Sequence, residues 1–340
     1  MALKPSNSEG LVTRPMLILF ALLVSLPLWI GAVGLYQYLG IEIAVWMIYA
    51  LGFNLLLGYT GLPSFGHGAY FGVGAYAFGL VQLRVVESLW LGLAAGILAA
   101  AAAGALVAGL ISHRRGIYYA LMTIACAQVF WFVAVKWHSV TGGEDGLLNL
   151  ARPALSLGVL SISLRGNTAL YYLAVAMLGL TVLGLWRLVH SRFGKALQAI
   201  KQNEMRAGFI GYNVWLYKFL VFTLSAGVAG LAGSLFAMAQ KSAYPDVMSL
   251  HSAGLVVMMT LIGGGFVSFW GPVVGTAVFF VARDLLGAFT ETWLLWYGLM
   301  FMGIVLFKPE GIVGAWQDLV RRRRTAGATK ETGSLSHHRG

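Results

Sequence analysis

The sequence predicts an all-α integral membrane protein with about ten transmembrane helices. Of its 340 residues, 59% are hydrophobic and only 10% are charged, which is more apolar material than one soluble core can bury. The apolar residues occur in runs of about 17 to 25, the length of an α-helix that crosses roughly 30 Å of hydrocarbon. A transmembrane barrel would instead show short alternating strands. Helices in lipid are therefore predicted.

The apolar runs define the predicted spans in chain order. The first run is longer than the apolar region of a signal peptide and lacks a convincing cleavage site, so it is interpreted as a retained helix. The ten spans are residues 16–36, 42–57, 68–83, 88–111, 116–135, 168–189, 216–239, 250–264, 270–289 and 292–307.

Positive charge is distributed unevenly between the two sides of the predicted bundle. Seventeen of the 23 lysines and arginines fall on the side of the two termini, five fall on the opposite side, and Arg283 lies inside a span. Because cytoplasmic loops are enriched in Lys and Arg, both termini are predicted to be cytoplasmic. The net charge of +11 is thus an orientation signal rather than a sign of nucleic-acid binding, and the run Arg321 to Arg324 is expected to meet anionic lipid.

This orientation predicts the division of the chain into segments. The predicted segments are a cytoplasmic tail (1–15), a transmembrane domain (16–307) with an external loop (136–167) and a cytoplasmic loop (190–215), and a basic cytoplasmic tail (308–340).

The 190–215 segment carries the most information about mechanism. From Lys195 to Arg206 its apolar and polar residues alternate with helical spacing, and Gly208 and Gly211 are expected to end the helix. A short amphipathic helix between two spans can be a lever for a soluble partner or can rest on lipid headgroups. The periodicity alone favours neither reading.

A second informative segment is dense in glycine and alanine and runs from Gly58 to Gly79. Such density permits close contact between helices, and static packing is favoured over direct solute contact. The candidates for helix packing or a translocation path here are Gly61, Ser64, Gly66, His67, Gly68 and Gly72. His67 is expected to be a hydrogen-bonded packing residue, and no metal site is predicted, since no second ligand has suitable spacing.

Few ionisable residues fall within the predicted spans. Arg283 and Asp284 are adjacent, so they point in different directions around the helix, and each is expected to have a partner elsewhere or to reach an interface. The external pair Glu144 and Asp145 could meet a basic patch on another protein, but an ordinary exposed loop is favoured. The pattern GxxSF occurs at Gly61 and again at Gly265, which suggests that two helices begin in a similar way.

Three segments carry a resemblance to a known family. The run from Gly194 to Ala237, GKALQAIKQNEMRAGFIGYNVWLYKFLVFTLSAGVAGLAGSLFA, resembles the cytoplasmic loop and next helix of branched-chain amino acid ABC transporter permeases of the LivM type. Residues 54–79, NLLLGYTGLPSFGHGAYFGVGAYAFG, resemble its glycine-rich signature. Residues 250–275, with LIGGGFVSFWGPVVG, resemble its late glycine and proline motif, which adds Gly263, Gly264, Gly265 and Pro272 to the path or packing candidates.

The resemblance implies a larger-bundle, type II-like importer permease in the bacterial inner membrane. It implies a sister permease subunit, two ATPase subunits that use ATP and Mg, and an extracytoplasmic solute-binding protein as partners. The chain itself has no GxxxxGK[ST] phosphate loop, so a non-catalytic subunit that binds no cofactor is expected. The resemblance places ATPase coupling, with docking by Glu204 and Arg206, in a set of seven residues: Ala199, Ile200, Asn203, Glu204, Arg206, Ala207 and Gly211.

Two alternatives remain open from the sequence. One is a secondary carrier driven by an ion gradient, for which Asp284 is the best candidate residue. The other is the same importer class with urea, a short amide or an aromatic acid as substrate. No residue pattern selects one solute.

Overall fold

The computed structural model describes residues 14–29, 36–157, 160–164, 166–265, 268–308, 310–317 and 319. The chain forms two compact units, Met1–Val257 and Met258–Gly340. The elements in chain order are α1 (Arg14–Trp29), α2 (Gln37–Thr60), α3 (Gly68–Arg84), α4 (Leu89–Ile111), α5 (Gly116–Lys136), α6 (His138–Thr141), β1 (Leu155–Leu157), β2 (Leu160–Ile162), α7 (Asn167–His190), α8 (Arg192–Gln202), α9 (Glu204–Phe209), α10 (Val214–Gln240), a 3₁₀ turn (Pro245–Met248), α11 (Leu250–Gly263), α12 (Gly271–Phe289) and α13 (Trp293–Phe307).

A helix is present at each of the ten predicted spans. Within the described residues, six helices are both long and apolar enough to cross a membrane: α2, α4, α5, α7, α10 and α12. The helices α1, α3, α11 and α13 are shorter, with 16, 17, 14 and 15 residues. The prediction of a multi-span helical membrane protein is therefore confirmed.

The predicted boundaries of α2 are too narrow. The helix begins at Gln37 instead of residue 42 and ends at Thr60 instead of residue 57. Polar residues interrupted the apolar run in the sequence, but they do not interrupt the backbone hydrogen bonds. The Thr60 hydroxyl, for example, donates to the Leu55 carbonyl at 3.0 Å and so remains satisfied inside the helix. Residues 30–35, at the end of the first predicted span, lie outside the described residues.

The helix α10 lies at the centre of the first unit, where it packs against α2, α3 and α4. Small residues bring the backbones together. A Cβ added at Gly233 would lie 1.8 Å from the Phe71 carbonyl oxygen of α3, and one at Gly230 would lie 2.6 Å from the Gly96 carbonyl oxygen of α4. Any larger residue would separate these helices, which is the usual reason for glycine at helix contacts in membranes.

Hydropathy does not separate the central helices from the peripheral ones. The most apolar windows of α2 and α5 have the same mean hydropathy, 1.7, but 89% of the α2 window is buried and only 28% of the α5 window is. Lipid is as apolar as a protein interior, so the two environments select the same composition. Whether a helix lies at the centre or the periphery of the bundle is therefore decided by its packing and not by its hydropathy.

The connection between α5 and α7 is ordered by contacts with the end of α10. It contains α6 and an antiparallel hairpin in which Leu155 pairs with Ile162. The Arg152 guanidinium donates to the Met238 and Ala239 carbonyls, at 3.2 and 2.8 Å. A cation at a helix C-terminus interacts favourably with the unpaired carbonyls and the helix dipole, so Arg152 holds this loop on α10.

The second unit has its own glycine contacts. A Cβ at Gly263 would lie 1.7 Å from the Gly271 carbonyl oxygen, and one at Gly275 would lie 1.8 Å from the Met259 carbonyl oxygen. Tyr297 of α13 is fully buried. The helices α11 and α12 thus meet backbone to backbone.

Candidate functional site

The 190–215 segment begins with a capped helix, α8. The Ser191 side chain accepts hydrogen bonds from two backbone N–H groups of the first turn, which is the N-cap arrangement that stabilises a helix start. The apolar side of α8 is buried through Ala196, Leu197 and Ile200. The predicted amphipathic helix is therefore present.

The prediction of one continuous helix over 195–206 is wrong. Asn203 has an extended backbone, with φ −161° and ψ 105°, and separates α8 from α9. Its side-chain oxygen accepts from the Arg206 N–H at 2.9 Å and caps the new helix. Gly208 lies inside α9 rather than ending it, whereas Gly211, with φ +99°, lies in the turn that follows. The segment is thus two short helices joined at an asparagine cap.

Glu204, the first residue of α9, forms two ion pairs within the chain. One carboxylate oxygen lies 3.2 Å from Nε of Arg115, and the other lies 3.1 Å from Nζ of Lys218. The Lys218 side chain is fully buried, and its ammonium also donates to the Arg114 carbonyl at 2.6 Å. The carboxylate of Glu204 therefore joins α9 to the starts of α5 and α10.

Lys201 connects α8 to the end of α2. Its ammonium donates to the Gly58 carbonyl at 2.6 Å, in the last turn of α2, where carbonyls lack partners in the helix. The Lys201 side chain also passes close to Gly61, the left-handed residue that ends α2. Partial burial lowers the pKa of this ammonium below its usual value.

The surface of α9 carries an apolar cluster that the sequence analysis missed. Met205, Phe209 and Ile210 are 59%, 85% and 77% exposed, whereas Ala207 is buried. We call these three residues the α9 apolar knob. The signal was present as three large apolar residues in a segment otherwise rich in charge, but the helical spacing over Lys195 to Arg206 did not show which of them would be exposed. Large exposed apolar groups clustered on a polar segment are typical of a contact surface.

The residues predicted for coupling differ in accessibility. Three of the seven are exposed, two are half-buried and two are buried. In that order they are Asn203, Arg206 and Gly211, then Ala199 and Glu204, then Ile200 and Ala207. Their role in coupling stays a prediction.

The connection 61–67 leads from α2 to α3 and ends at a buried histidine. His67 and Ser64 are both fully buried. The His67 ring lies among aromatic rings that include Tyr49, stacked at 5.9 Å, and Phe222 of α10, edge-on at 6.3 Å. In this conformation His67 is enclosed by protein.

A hydrogen-bond chain fixes the tautomer of His67. The Ser225 hydroxyl, on α10, donates its one proton to the Gly52 carbonyl of α2 at 2.6 Å. It must therefore accept from Nε2 of His67, which lies 3.0 Å away. His67 is thus buried and hydrogen-bonded, as the packing reading expects, and its partner on α10 could not be identified from spacing. Within the described residues, no group of three or more His, Cys, Asp or Glu side chains is placed to hold a metal ion.

The other candidates in this segment lie at close contacts between helices. A Cβ at Gly66 would lie 2.0 Å from the Thr123 carbonyl oxygen, and one at Gly72 would lie 2.2 Å from the Met248 side chain. A Cβ at Gly68, the first residue of α3, would lie 3.1 Å from the Val247 carbonyl oxygen. These contacts favour the packing reading for all three glycines.

The second unit repeats the local pattern of the 61–67 connection. In both places a helix ends, a left-handed glycine follows, and the next helix begins after a connection of the same length, 61–67 and 264–270. The left-handed glycines are Gly61, with φ +71°, and Gly264, with φ +90°. Residues 266 and 267 lie outside the described residues. The structural match thus pairs Gly61 with Gly264, one residue before the Gly265 of the predicted GxxSF pattern, and Pro272 lies at N2 of α12, where α3 has Ala69.

Arg283 and Asp284 pair with each other. The guanidinium lies 3.4 Å from the carboxylate and over the Phe280 ring at 4.6 Å. This contact was not predicted, because a long arginine side chain can fold back to the next residue.

Glu144 and Asp145 are exposed on a turn framed by glycines with positive φ. The turn is held by the backbone pairing of Leu147 with Ala243. The acidic pair thus has a fixed position near the end of α10.

These features define a class of protein: a multi-pass helical membrane protein with a glycine-packed core and a two-helix segment between its spans. The family model described as "Branched-chain amino acid transport system / permease component" matches residues 35–308. The chain belongs to this family of branched-chain amino acid ABC permeases, and it is a multi-pass protein of the bacterial inner membrane.

Curated relatives agree with the family. The chain is 26% identical over 328 residues to the high-affinity branched-chain amino acid transport system permease protein LivM of Salmonella typhimurium and of Escherichia coli, and the match covers 90% of this chain and 76% of each relative. It is 23% identical over 290 residues to the corresponding permease protein LivH of Salmonella typhimurium, covering 80% of this chain and 92% of that relative. No solved structure gives a significant match.

Proposed function

We propose that this chain is the translocation subunit of an ATP-binding-cassette importer for branched-chain amino acids. Family membership supports this function, and the single structural observation that carries it is the α9 apolar knob on a segment that is tied to the bundle by ion pairs. Such a knob can enter a cleft of a soluble partner and transmit force to the membrane helices.

The proposed topology follows the charge distribution. About ten helices cross the membrane, both termini and the 190–215 segment are cytoplasmic, and the 136–167 loop is external. The ten proposed spans are the six long helices together with the four shorter ones, α1, α3, α11 and α13. Membranes accept spans of this length when neighbouring helices shield their ends.

The proposed partners are a sister permease, two ATPase subunits and an external solute-binding protein. Relatives named LivM and LivH, both permease proteins of one transport system, support a pair of different permeases. The chain is proposed to bind no cofactor and to catalyse no reaction, and ATP and Mg are used by the ATPase subunits. A branched-chain amino acid is proposed as the solute because the names of the relatives specify it. Urea, amides and aromatic acids are to be included as competitors in uptake assays.

The docking role of the α9 apolar knob can be tested with Phe209→Asp. Phe209 is 85% exposed, so the fold should survive, and loss of an interface anchor should weaken ATPase binding by roughly tenfold or more. The measurement is co-purification of the ATPase subunits in detergent, together with ATP-driven uptake of labelled leucine.

The matched control is Gln202→Asp, an equal change of charge at an exposed residue of α8. Normal ATPase binding by Gln202→Asp and poor binding by Phe209→Asp are expected. Equal and normal binding by both variants would show that the ATPase docks elsewhere.

A further inference from the structure

Two lysines attach the 190–215 segment to the bundle at separate points. At the first point the ammonium of Lys218 is fully buried and has two acceptors, a carboxylate oxygen of Glu204 at 3.1 Å and the Arg114 carbonyl at 2.6 Å. Because Lys218 belongs to α10 and Glu204 to α9, this contact joins the α9 apolar knob directly to the central helix of the first unit.

At the second point Lys201 of α8 donates to the Gly58 carbonyl of α2 at 2.6 Å. The carbonyls of a last helical turn have no partner within the helix, and a cation there is favoured by the helix dipole. The segment is thus bound to α10 through α9 and to α2 through α8.

The two helices that receive these attachments are themselves joined deeper in the bundle. Ser225 lies seven residues after Lys218, so both side chains lie on the same face of α10. The Ser225 hydroxyl donates to the Gly52 carbonyl of α2 and accepts from His67 at the end of the 61–67 connection. Polar contacts therefore link α8, α9, α2 and α10 into one continuous set.

We propose that Lys218 is a positioning residue that makes α10 follow the movement of α9 during transport. The proposal rests on the proposed function. A buried ammonium cannot leave its carboxylate without becoming an unpaired charge, so this contact resists sliding in a way that an apolar contact does not. The α9 apolar knob receives the push of the ATPase, and the Glu204–Lys218 ion pair delivers it to the helix that packs against α2, α3 and α4.

The first test measures leucine transported per ATP hydrolysed by the complete transporter in proteoliposomes. Lys218→Met should leave ATP hydrolysis in the assembled complex but lower transport per ATP by about tenfold, the size of a typical coupling between sites. Lys218→Arg, which keeps the charge, should recover most of the coupling. Lys195→Met, the same change at an exposed lysine of α8, should behave as the wild type.

A double variant separates the ion pair from a general loss of structure. Glu204→Gln should lower transport per ATP less in the Lys218→Met background than in the wild type, because the Glu204–Lys218 pair is then already broken and Glu204 keeps its ion pair with Arg115 alone. Wild-type transport per ATP by Lys218→Met would overturn the proposal and leave the proposed function intact. Absence of ATP-driven uptake by the wild-type complex would instead contradict the proposed function.

A distance measurement covers the case in which Lys218→Met does not assemble. Spin labels at Gly208 of α9, where a side chain would meet open space, and at Leu220 of α10, both exposed, report the separation of these two helices in a complex whose other change is Cys126→Ser. If α10 follows α9, the distance between the two labels should have one narrow distribution that is the same in the nucleotide-free and ATP-bound states. A shift of about 5 Å or more, one helical turn, would show that the helices move separately.

Discussion

Ser225 lies where three parts of the first unit meet. Its hydroxyl donates to Gly52 of α2 and accepts from His67, and all three groups are shielded from solvent. A buried donor that loses its acceptor costs more than the average hydrogen bond, because nothing replaces the lost partner. The serine therefore stabilises both the α2–α10 contact and the orientation of the imidazole.

Ser225→Ala is expected to lower the free energy of unfolding by about 1–3 kcal/mol, because His67 Nε2–H and the Gly52 carbonyl both lose a partner. The measurement is the thermal unfolding of the purified protein in detergent. Thr223→Ala is the control on the same helix, since within the described residues the hydroxyl of Thr223 donates only to the Phe219 carbonyl of its own helix. Equal losses from the two variants would contradict the special position of Ser225.

The sequence pattern singled out one residue of each buried polar contact but did not reveal its partner. Glu204 and His67 were both singled out, one as a docking residue and the other as a packing residue. Their partners Lys218 and Ser225 lie on α10, and no spacing rule relates a residue on one helix to a residue on another. The exposure of Phe209 was equally hidden, since helical periodicity does not say which face of a short helix contacts the bundle.

At the scale of elements, the helices were predicted well and their arrangement was not. Each predicted span contains a helix because runs of apolar residues and the need for backbone hydrogen bonds in lipid leave few other options. The break at Asn203 was missed because a capping side chain, rather than glycine or proline, separates α8 from α9. The central position of α10 follows from its small residues, which the sequence shows as composition but not as contacts.

Gly233→Ala tests the close contact of α10 with α3. Its Cβ would lie 1.8 Å from the Phe71 carbonyl oxygen, so the helices must separate, at a cost of about 1–3 kcal/mol or more. Gly184→Ala is the control, because it adds a methyl group to α7 at a position where no other described element comes within 4 Å of it. It should be neutral or stabilising by up to about 1 kcal/mol.

The thermal unfolding midpoint and the yield of monodisperse protein in detergent report both changes. A lower midpoint for Gly233→Ala together with an unchanged or higher one for Gly184→Ala is expected. A well-behaved Gly233→Ala protein with the wild-type midpoint would show that α10 and α3 do not pack this closely.

At the scale of the whole molecule, the chain combines a glycine-packed helical core with a segment that presents apolar side chains outward. The core explains how the chain resides in lipid, and the proposed function assigns the contact with a soluble partner to the 190–215 segment. The secondary-carrier alternative finds less support, because the carboxylate it would need, Asp284, lies 3.4 Å from Arg283. Transport should therefore depend on a partner that hydrolyses ATP.

The most direct measurement is uptake of labelled leucine into proteoliposomes that contain this chain with and without its sister permease, ATPase and binding-protein partners. Uptake is expected only with the complete set and with ATP, and an imposed proton or sodium gradient should have no effect on the chain alone. Leucine uptake by the chain alone along such a gradient would contradict an ATP-driven importer.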